Sequence, residues 1–382
     1  MIPGLFIYLY ATIGLLVLYF DITKRPIKQY DKVFNIIYII LAVTAAFSYG
    51  VGPDTKIYMY YFESIPKLWN LSNNDFLYTR AQPLFVLTNS LCKTISANFL
   101  SLQLLQCFLL YHSLYLVLKK YRLKKFWVLF LFFGYCYTAL LSGRRECFGL
   151  SFCLYAMLFY EDKRWLYYYT LVAIGFLFHT GMLVFALIPF IKIFKKISLR
   201  YIVIIFILFL SFQYLFQYLS FFSFIVNEGD SILKYSLANQ ESSLKLSTII
   251  LVLIRLSIII IFIFYDKSKK HSELKKDFVY IGVVATSLDL LSASLPIIYR
   301  FRTHFAVFSY YTIYECFKGA KKNAIIIAII FSAFAYSPIA TFVNTMQNYE
   351  SFYNYCHIFS NDEEKAIMDD ISTHFDTSGT EL

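Results

Sequence analysis

The chain has 382 residues, of which 59% are hydrophobic, 20% aromatic and only 15% charged, with a formal net charge of +11. Ordinary soluble domains carry about 25% charged residues, and the apolar runs here are continuous rather than alternating, which excludes both a soluble enzyme and a transmembrane β-barrel. The positive charge collects in short loops between those runs, so it reads as membrane topology and not as a nucleic-acid surface.

Many runs reach the roughly 17–25 residues that cross a hydrocarbon core. They predict an all-α fold, a polytopic transmembrane helical bundle of about twelve spanning helices. The helices are expected near 2–20, 33–51, 99–118, 126–142, 146–160, 165–179, 181–196, 201–225, 246–265, 277–295, 302–317 and 323–343. The first has no basic region before it and no small-residue cleavage site, so it is expected to be retained and not removed as a signal peptide. Residues 81–97 are apolar for only about ten positions before Lys93, Thr94 and Ser96 intervene, too few to span. A short interfacial or re-entrant helix on the external face is expected there, inside a loop near 52–98 rich in Tyr, Trp and Asn. A smaller external loop is expected near 226–245. Residues 1–343 form one transmembrane domain on this reading. Residues 344–382 are an external tail, aromatic and then acidic through Asp362, Glu363, Glu364, Asp369 and Asp370.

Alternate loops carry the base: Lys24 to Lys32, Lys119 to Lys125, Lys163 and Arg164, Lys192 to Arg200, Lys267 to Lys276, and Lys318 to Lys322. All six fall on one side of a twelve-helix arrangement, which the positive-inside rule makes cytoplasmic, leaving both termini outside. The seven cysteines form no CxxC pair and no metal spacing, so they read as small core residues and no metal is expected.

The stretch Ser142-Gly143-Arg144-Arg145-Glu146 breaks this sorting, because it lies at an external helix end between two uncharged apolar runs. Arg300 and Arg302 lie at external ends too, as do Asp54, His179 and His304, so an acid, imidazoles and arginines converge at one leaflet. A guanidinium fork matches phosphate oxygens, and Arg144 and Arg145 open a helix whose free N–H groups favour an anion. A pyrophosphate carried on a membrane-embedded polyprenyl tail would sit at this depth. A structural reading competes: arginines at helix ends reach lipid phosphates, and Glu146 pairs with a neighbouring arginine. Arg255, mid-helix, is expected either to pair with Asp289 or to line a substrate path.

Five spaced segments carry a resemblance. Gly52-Pro53-Asp54 with Tyr58 and Phe62 is similar to a Gly-x-Asp…Tyr segment, and Gln82-Pro83-Leu84-Phe85 to a Glu-Pro-x-Phe motif. Arg145-Glu146 is similar to an Arg-Gln pair, Leu177-Phe178-His179-Thr180 to Phe-His-Ser, and Arg300…His304-Phe305 to Arg-x-x-x-Tyr-Phe. In order and spacing, over most of the chain, these resemble the EpsG family of bacterial membrane proteins, related in role to Wzy-type polysaccharide polymerases. Gln82 stands where that pattern has an acid, Glu146 where it has an amide and His304 where it has a tyrosine. These departures shift catalytic duty towards Asp54 or His179.

The resemblance implies polymerisation of undecaprenyl-pyrophosphate-linked oligosaccharides for exopolysaccharide, capsule or O-antigen, at the external face of the bacterial cytoplasmic (inner) membrane. It implies no cofactor and no nucleic acid. The expected partners are the lipid-linked oligosaccharide, membrane lipids, and flippase and chain-length regulator proteins. Asp54, Arg145 and His179 are the expected catalytic residues; Arg144, Glu146, Arg300, Arg302, His304, Tyr58 and Gln82 are expected to bind substrate. A lipid-linked oligosaccharide flippase or other transporter remains an alternative, as does an O-antigen ligase. Scarce Gly (13) and Pro (8) weigh against the broken helices of transporters.

Overall fold

The computed structural model describes residues 2–22, 29–52, 54–78, 82–123, 125–137, 140–141, 143–190, 324–348, 354–357 and 359–363, with isolated positions elsewhere. Apart from such positions, the helices expected near 201–225, 246–265, 277–295 and 302–317 and the loop near 226–245 lie outside the described residues, as do Arg255, Asp289, Arg300 and Arg302. The chain divides into two compact units, Met1–Ala186 with Ala335–Leu382, and Leu187–Phe334. Among the described positions of the second unit, His304 is helical and completely buried.

The described residues are mostly helical, as the apolar runs require. Helix α1 (Leu5–Leu16) continues through a wider π-type coil (Val17–Ile22), and α2 (Tyr30–Ala46) returns antiparallel to it. Three short helices follow: α3 (Thr55–Ser64), α4 (Asn73–Tyr78) and α5 (Pro83–Ile95). Then come α6 (Leu100–Lys120), α7 (Phe126–Phe132) with a π-type coil (Phe133–Tyr137), α8 (Arg144–Tyr160) and α9 (Trp165–Phe178). A 3-10 coil runs over Thr180–Phe190, and α10 covers Ala324–Asn348. Among the described residues, α6 alone is both long and apolar enough to cross a bilayer by itself.

Two ends of the first unit can be told apart by their ties. At one end, Asp21 accepts hydrogen bonds from the Tyr30 hydroxyl (2.7 Å) and the Trp127 backbone N–H (2.8 Å), so a residue distant in sequence caps α7. At the same end Lys120 pairs with Asp162 (3.2 Å) and donates to the Leu158 carbonyl, while the Tyr121 hydroxyl donates to the Met157 carbonyl at 2.5 Å. This end holds the described residues of the first three basic loops.

At the other end, α2 stops at Ala46, short of the expected 51, and residues Ser48–Tyr49 become a strand. That strand (β2) and Ile2–Pro3 (β1) flank Asn354–His357 (β3) in a three-stranded antiparallel sheet. Residues expected to trail as a tail therefore form the central strand, because Tyr355 has a packed environment waiting. Its ring meets Phe6 at 5.5 Å and its hydroxyl donates to the Thr44 carbonyl at 3.1 Å.

Close backbone approach sets the α8–α9 pair. A Cβ on Gly149 would stand 2.9 Å from the Gly175 carbonyl oxygen, and one on Gly175 would stand 2.9 Å from the Gly149 oxygen. Two facing glycines let these helices touch, as small residues do in membrane bundles. Against this pair pack α3, α5 and α6, through a buried cluster of Tyr58, Phe62, Phe85, Cys92, Leu102, Phe148 and Phe178.

Candidate functional site

The aromatic cluster brings three distant segments to the start of α8. Gly50 (φ 64) and Gly52 (φ 96) turn the chain through the left-handed region that glycine tolerates best, delivering Asp54 to the N-terminus of α3. Thr55 secures the turn, its hydroxyl donating to the Val51 carbonyl at 2.5 Å. Pro83 opens α5, where a proline fits the first turn, and Phe85 anchors that helix by packing edge-on against Tyr58 and Phe148. Gln82 makes no cap with its side chain, which is left to point elsewhere.

It points to Arg145. The Arg145 Nη1 donates to Gln82 Oε1 at 3.1 Å, Nε donates to the Tyr58 hydroxyl at 3.4 Å, and the guanidinium lies 5.9 Å from the Tyr58 ring centre. Both partners are neutral, and among the described residues no carboxylate pairs with Arg145. Burial pushes the Tyr58 phenol above its ordinary range, Arg145 opposes that shift, and the nearby Asp54 carboxylate adds to it. Tyr58 is therefore a neutral phenol at working pH, and Asp54 is exposed close by. Glu146 follows in the first turn of α8, half-buried.

Arg144 goes the other way. It is 1% exposed, its Nη1 and Nη2 donate to Gln106 Oε1 (2.9 Å) and Gln103 Oε1 (3.0 Å), and its guanidinium lies over the Phe99 ring. Gln103 in turn donates to the carbonyls of Ala46 (2.8 Å) and Ser48 (2.7 Å), tying α8 to α6 and the end of α2. The expected substrate arginine thus sits in a buried amide clamp, and the two neighbouring guanidiniums part company. Gln103 and Gln106 were not among the expected site residues. Two amides one turn apart on an apolar helix are the signal that marks them.

His179 ends α9 and lies one turn along α8 from Arg145, its Cβ 3.3 Å from where a Gly149 Cβ would stand. Its Nδ1 accepts the Gly181 backbone N–H at 3.2 Å, so the neutral ring carries its proton on Nε2. Tyr58, Gln82 and Arg145 are therefore in direct contact. Asp54 is beside Tyr58, and His179, at the end of α9, packs against α8 at Gly149, one turn along from Arg145. His304 belongs to the second unit, and Arg300 and Arg302 lie outside the described residues. Among the described residues no group of His, Cys, Asp and Glu has a metal-binding arrangement.

No curated protein and no solved structure matches this chain. A family model described as the EpsG family matches residues 31–357, far more than half of the sequence, and the chain belongs to the EpsG family.

Proposed function

We propose that this membrane protein polymerises lipid-linked oligosaccharide repeat units, transferring a glycan from undecaprenyl pyrophosphate to a hydroxyl of a second lipid-linked repeat at the external face of the bacterial cytoplasmic membrane. Family membership supports the coarser reading, a polysaccharide polymerase-like protein of the membrane. One observation carries the finer reading: among the described residues Arg145 is held by neutral groups alone, at a helix N-terminus where Gly143 provides no side-chain cap, which leaves its charge to an anion. A carboxylate partner would have spent that charge internally.

In the proposed reaction the acceptor hydroxyl oxygen attacks the anomeric carbon. The bond from that carbon to the pyrophosphate oxygen breaks, and the pyrophosphate leaves with the electron pair. Arg145 and the first N–H groups of α8 stabilise that developing charge. The acceptor proton goes to Asp54, which is exposed and beside Tyr58. His179 is less suited to take it, because its Nδ1 lone pair already holds Gly181 N–H; its Nε2–H serves as a donor. Glu146, half-buried in the first turn of α8, is a further proposed substrate contact within this unit.

The test is Arg145→Ala in a strain lacking its own polymerase, with membrane abundance measured alongside. Loss of long-chain glycan, with single repeats displayed outside the cell, is expected. Unchanged long chains at normal abundance would overturn the assignment, and single repeats trapped inside would point to a flippase.

A further inference from the structure

Helix α5 has two unlike faces. One carries Phe85, Val86, Asn89 and Cys92 into the protein, while Leu87, Leu91 and Ile95, spaced four apart, stand exposed along the other. Ile95 is 77% exposed, and Trp69 in the preceding 3-10 turn (Leu68–Asn70) is 70% exposed. That turn is laced to α5, because Leu68 N–H donates to Thr94 Oγ1 (2.9 Å) and Ser90 Oγ donates to the Pro66 carbonyl (2.8 Å). Lys93, on the same helix, holds the Glu63 and Ile65 carbonyls, so it locks the hairpin and leaves the stripe uncharged.

We infer that this surface docks onto the bilayer, with Leu87, Leu91, Ile95 and Trp69 set among lipid chains at the interface. Three features select lipid as the occupant. First, Ile95 is followed within five residues by α6, which is long and apolar enough to cross a bilayer, and a connection this short keeps α5 close to the end of that helix. Second, an exposed tryptophan beside an aliphatic stripe is the residue pattern of a membrane interface. Third, exposed Lys67 precedes the turn and suits lipid phosphates. At 13 residues α5 is too short to span, which leaves lying in the interface.

The consequence for the site rests on the proposed function. The N-terminal cap of α5 is Gln82, which touches Arg145. One short helix therefore carries the exposed apolar stripe along its length and meets Arg145 at its N-terminal end. A headgroup at Arg145 can keep its polyprenyl chain in the membrane by passing α5, without leaving the bilayer.

The contact is tested without any activity measurement. Full-length protein is reconstituted in phosphatidylcholine–phosphatidylglycerol vesicles containing chain-brominated lipid. The Trp69 signal is taken as the difference between the unaltered protein and Trp69→Phe. Quenching by brominated chains with protection from aqueous iodide is expected. Quenching by iodide instead would overturn the inference. So would protection from both, which would mean that protein, either another part of this chain or a second copy, covers the stripe. A Leu91→Gln/Ile95→Gln variant adds the functional arm, with severalfold slower polymerisation expected at unchanged thermal stability in detergent. Lipid contact together with normal polymer from Arg145→Ala would sink the proposed function while leaving the membrane contact standing.

Discussion

Arg144 and Arg145 are neighbours in sequence but about 100° apart around a helix axis, so one helix start can aim them at different surroundings. Arg144 meets two glutamine oxygens and is buried; Arg145 meets a phenol and a third glutamine and is half-buried. Arg144→Ala leaves Gln103 Oε1 and Gln106 Oε1 without a donor, at about 1–3 kcal/mol each. Thermal unfolding in detergent should register that loss, together with lower membrane abundance. Arg145→Ala should unfold like the unaltered protein and fail in polymerisation. If the two variants behave alike in both assays, the division of labour is wrong. Among the acid–base candidates, Asp54→Asn is expected to abolish polymer formation, whereas His179→Ala should slow it and leave some polymer. Tyr58 brings a pH statement. Below about pH 10 the phenol is neutral whether the chain is folded or not, so it adds no pH dependence to stability. Above that, the unfolded chain ionises first and unfolding is favoured, because the folded phenol is held above its ordinary range. Tyr58→Phe should therefore leave the activity–pH profile unchanged between pH 6 and 9, roughly the range in which a phenol stays protonated.

Helices α8 and α9 are the elements on which the site depends, and their facing glycines set its dimensions. Gly149→Ala places a methyl group 2.9 Å from the Gly175 carbonyl and 2.7 Å from Met182 Cγ, so the helices must separate. Overpacking of this kind costs about 1–3 kcal/mol. It also moves His179 relative to Arg145, and the expected readout is a lowered melting temperature with reduced polymerisation. A melting temperature equal to that of the unaltered protein would show that the crossing is looser than described. A similar element-level tie operates at the opposite end, where Asp21 caps α7 from a distance. Asp21→Ala is expected to destabilise the protein by about 0.5–2 kcal/mol, the range for loss of a helix cap, with polymerisation unchanged in rate per folded molecule.

At the scale of the whole molecule, the sorting of charge and the ties between helix ends agree. Lys119, Lys120, Arg122, Lys125, Lys163 and Arg164 share the end held together by the Lys120–Asp162 pair and the Tyr121 hydroxyl. Arg145, Gln82, Tyr58 and His179 share the opposite one, at the starts of α6 and α8 and the close of α9. Applying the positive-inside rule to that division predicts how cysteine probes will react. Asn98→Cys should be labelled in intact cells by a membrane-impermeant maleimide, and Lys163→Cys only after permeabilisation. The reverse pattern would invert the protein and remove the site from the outer face. The six native cysteines among the described residues are buried, which keeps the background low.

What the sequence determined by itself was everything that follows from local composition. Helical runs, the short helix at 83–95 and the sorted lysines are legible, because apolar length and misplaced charge are properties of a few adjacent residues, and of the candidate site the sequence singled out Tyr58, Gln82 and Arg145, which the fold brings into contact. Tertiary structure alone decided that Arg144 is clamped by Gln103 and Gln106 while its neighbour faces Tyr58 and Gln82. It also decided that residues 354–357 close a sheet with both ends of the α1–α2 hairpin. Those outcomes depend on which surfaces meet across long separations. A glutamine, a glycine pair or a four-residue strand acquires its meaning only from the partner that packing brings to it.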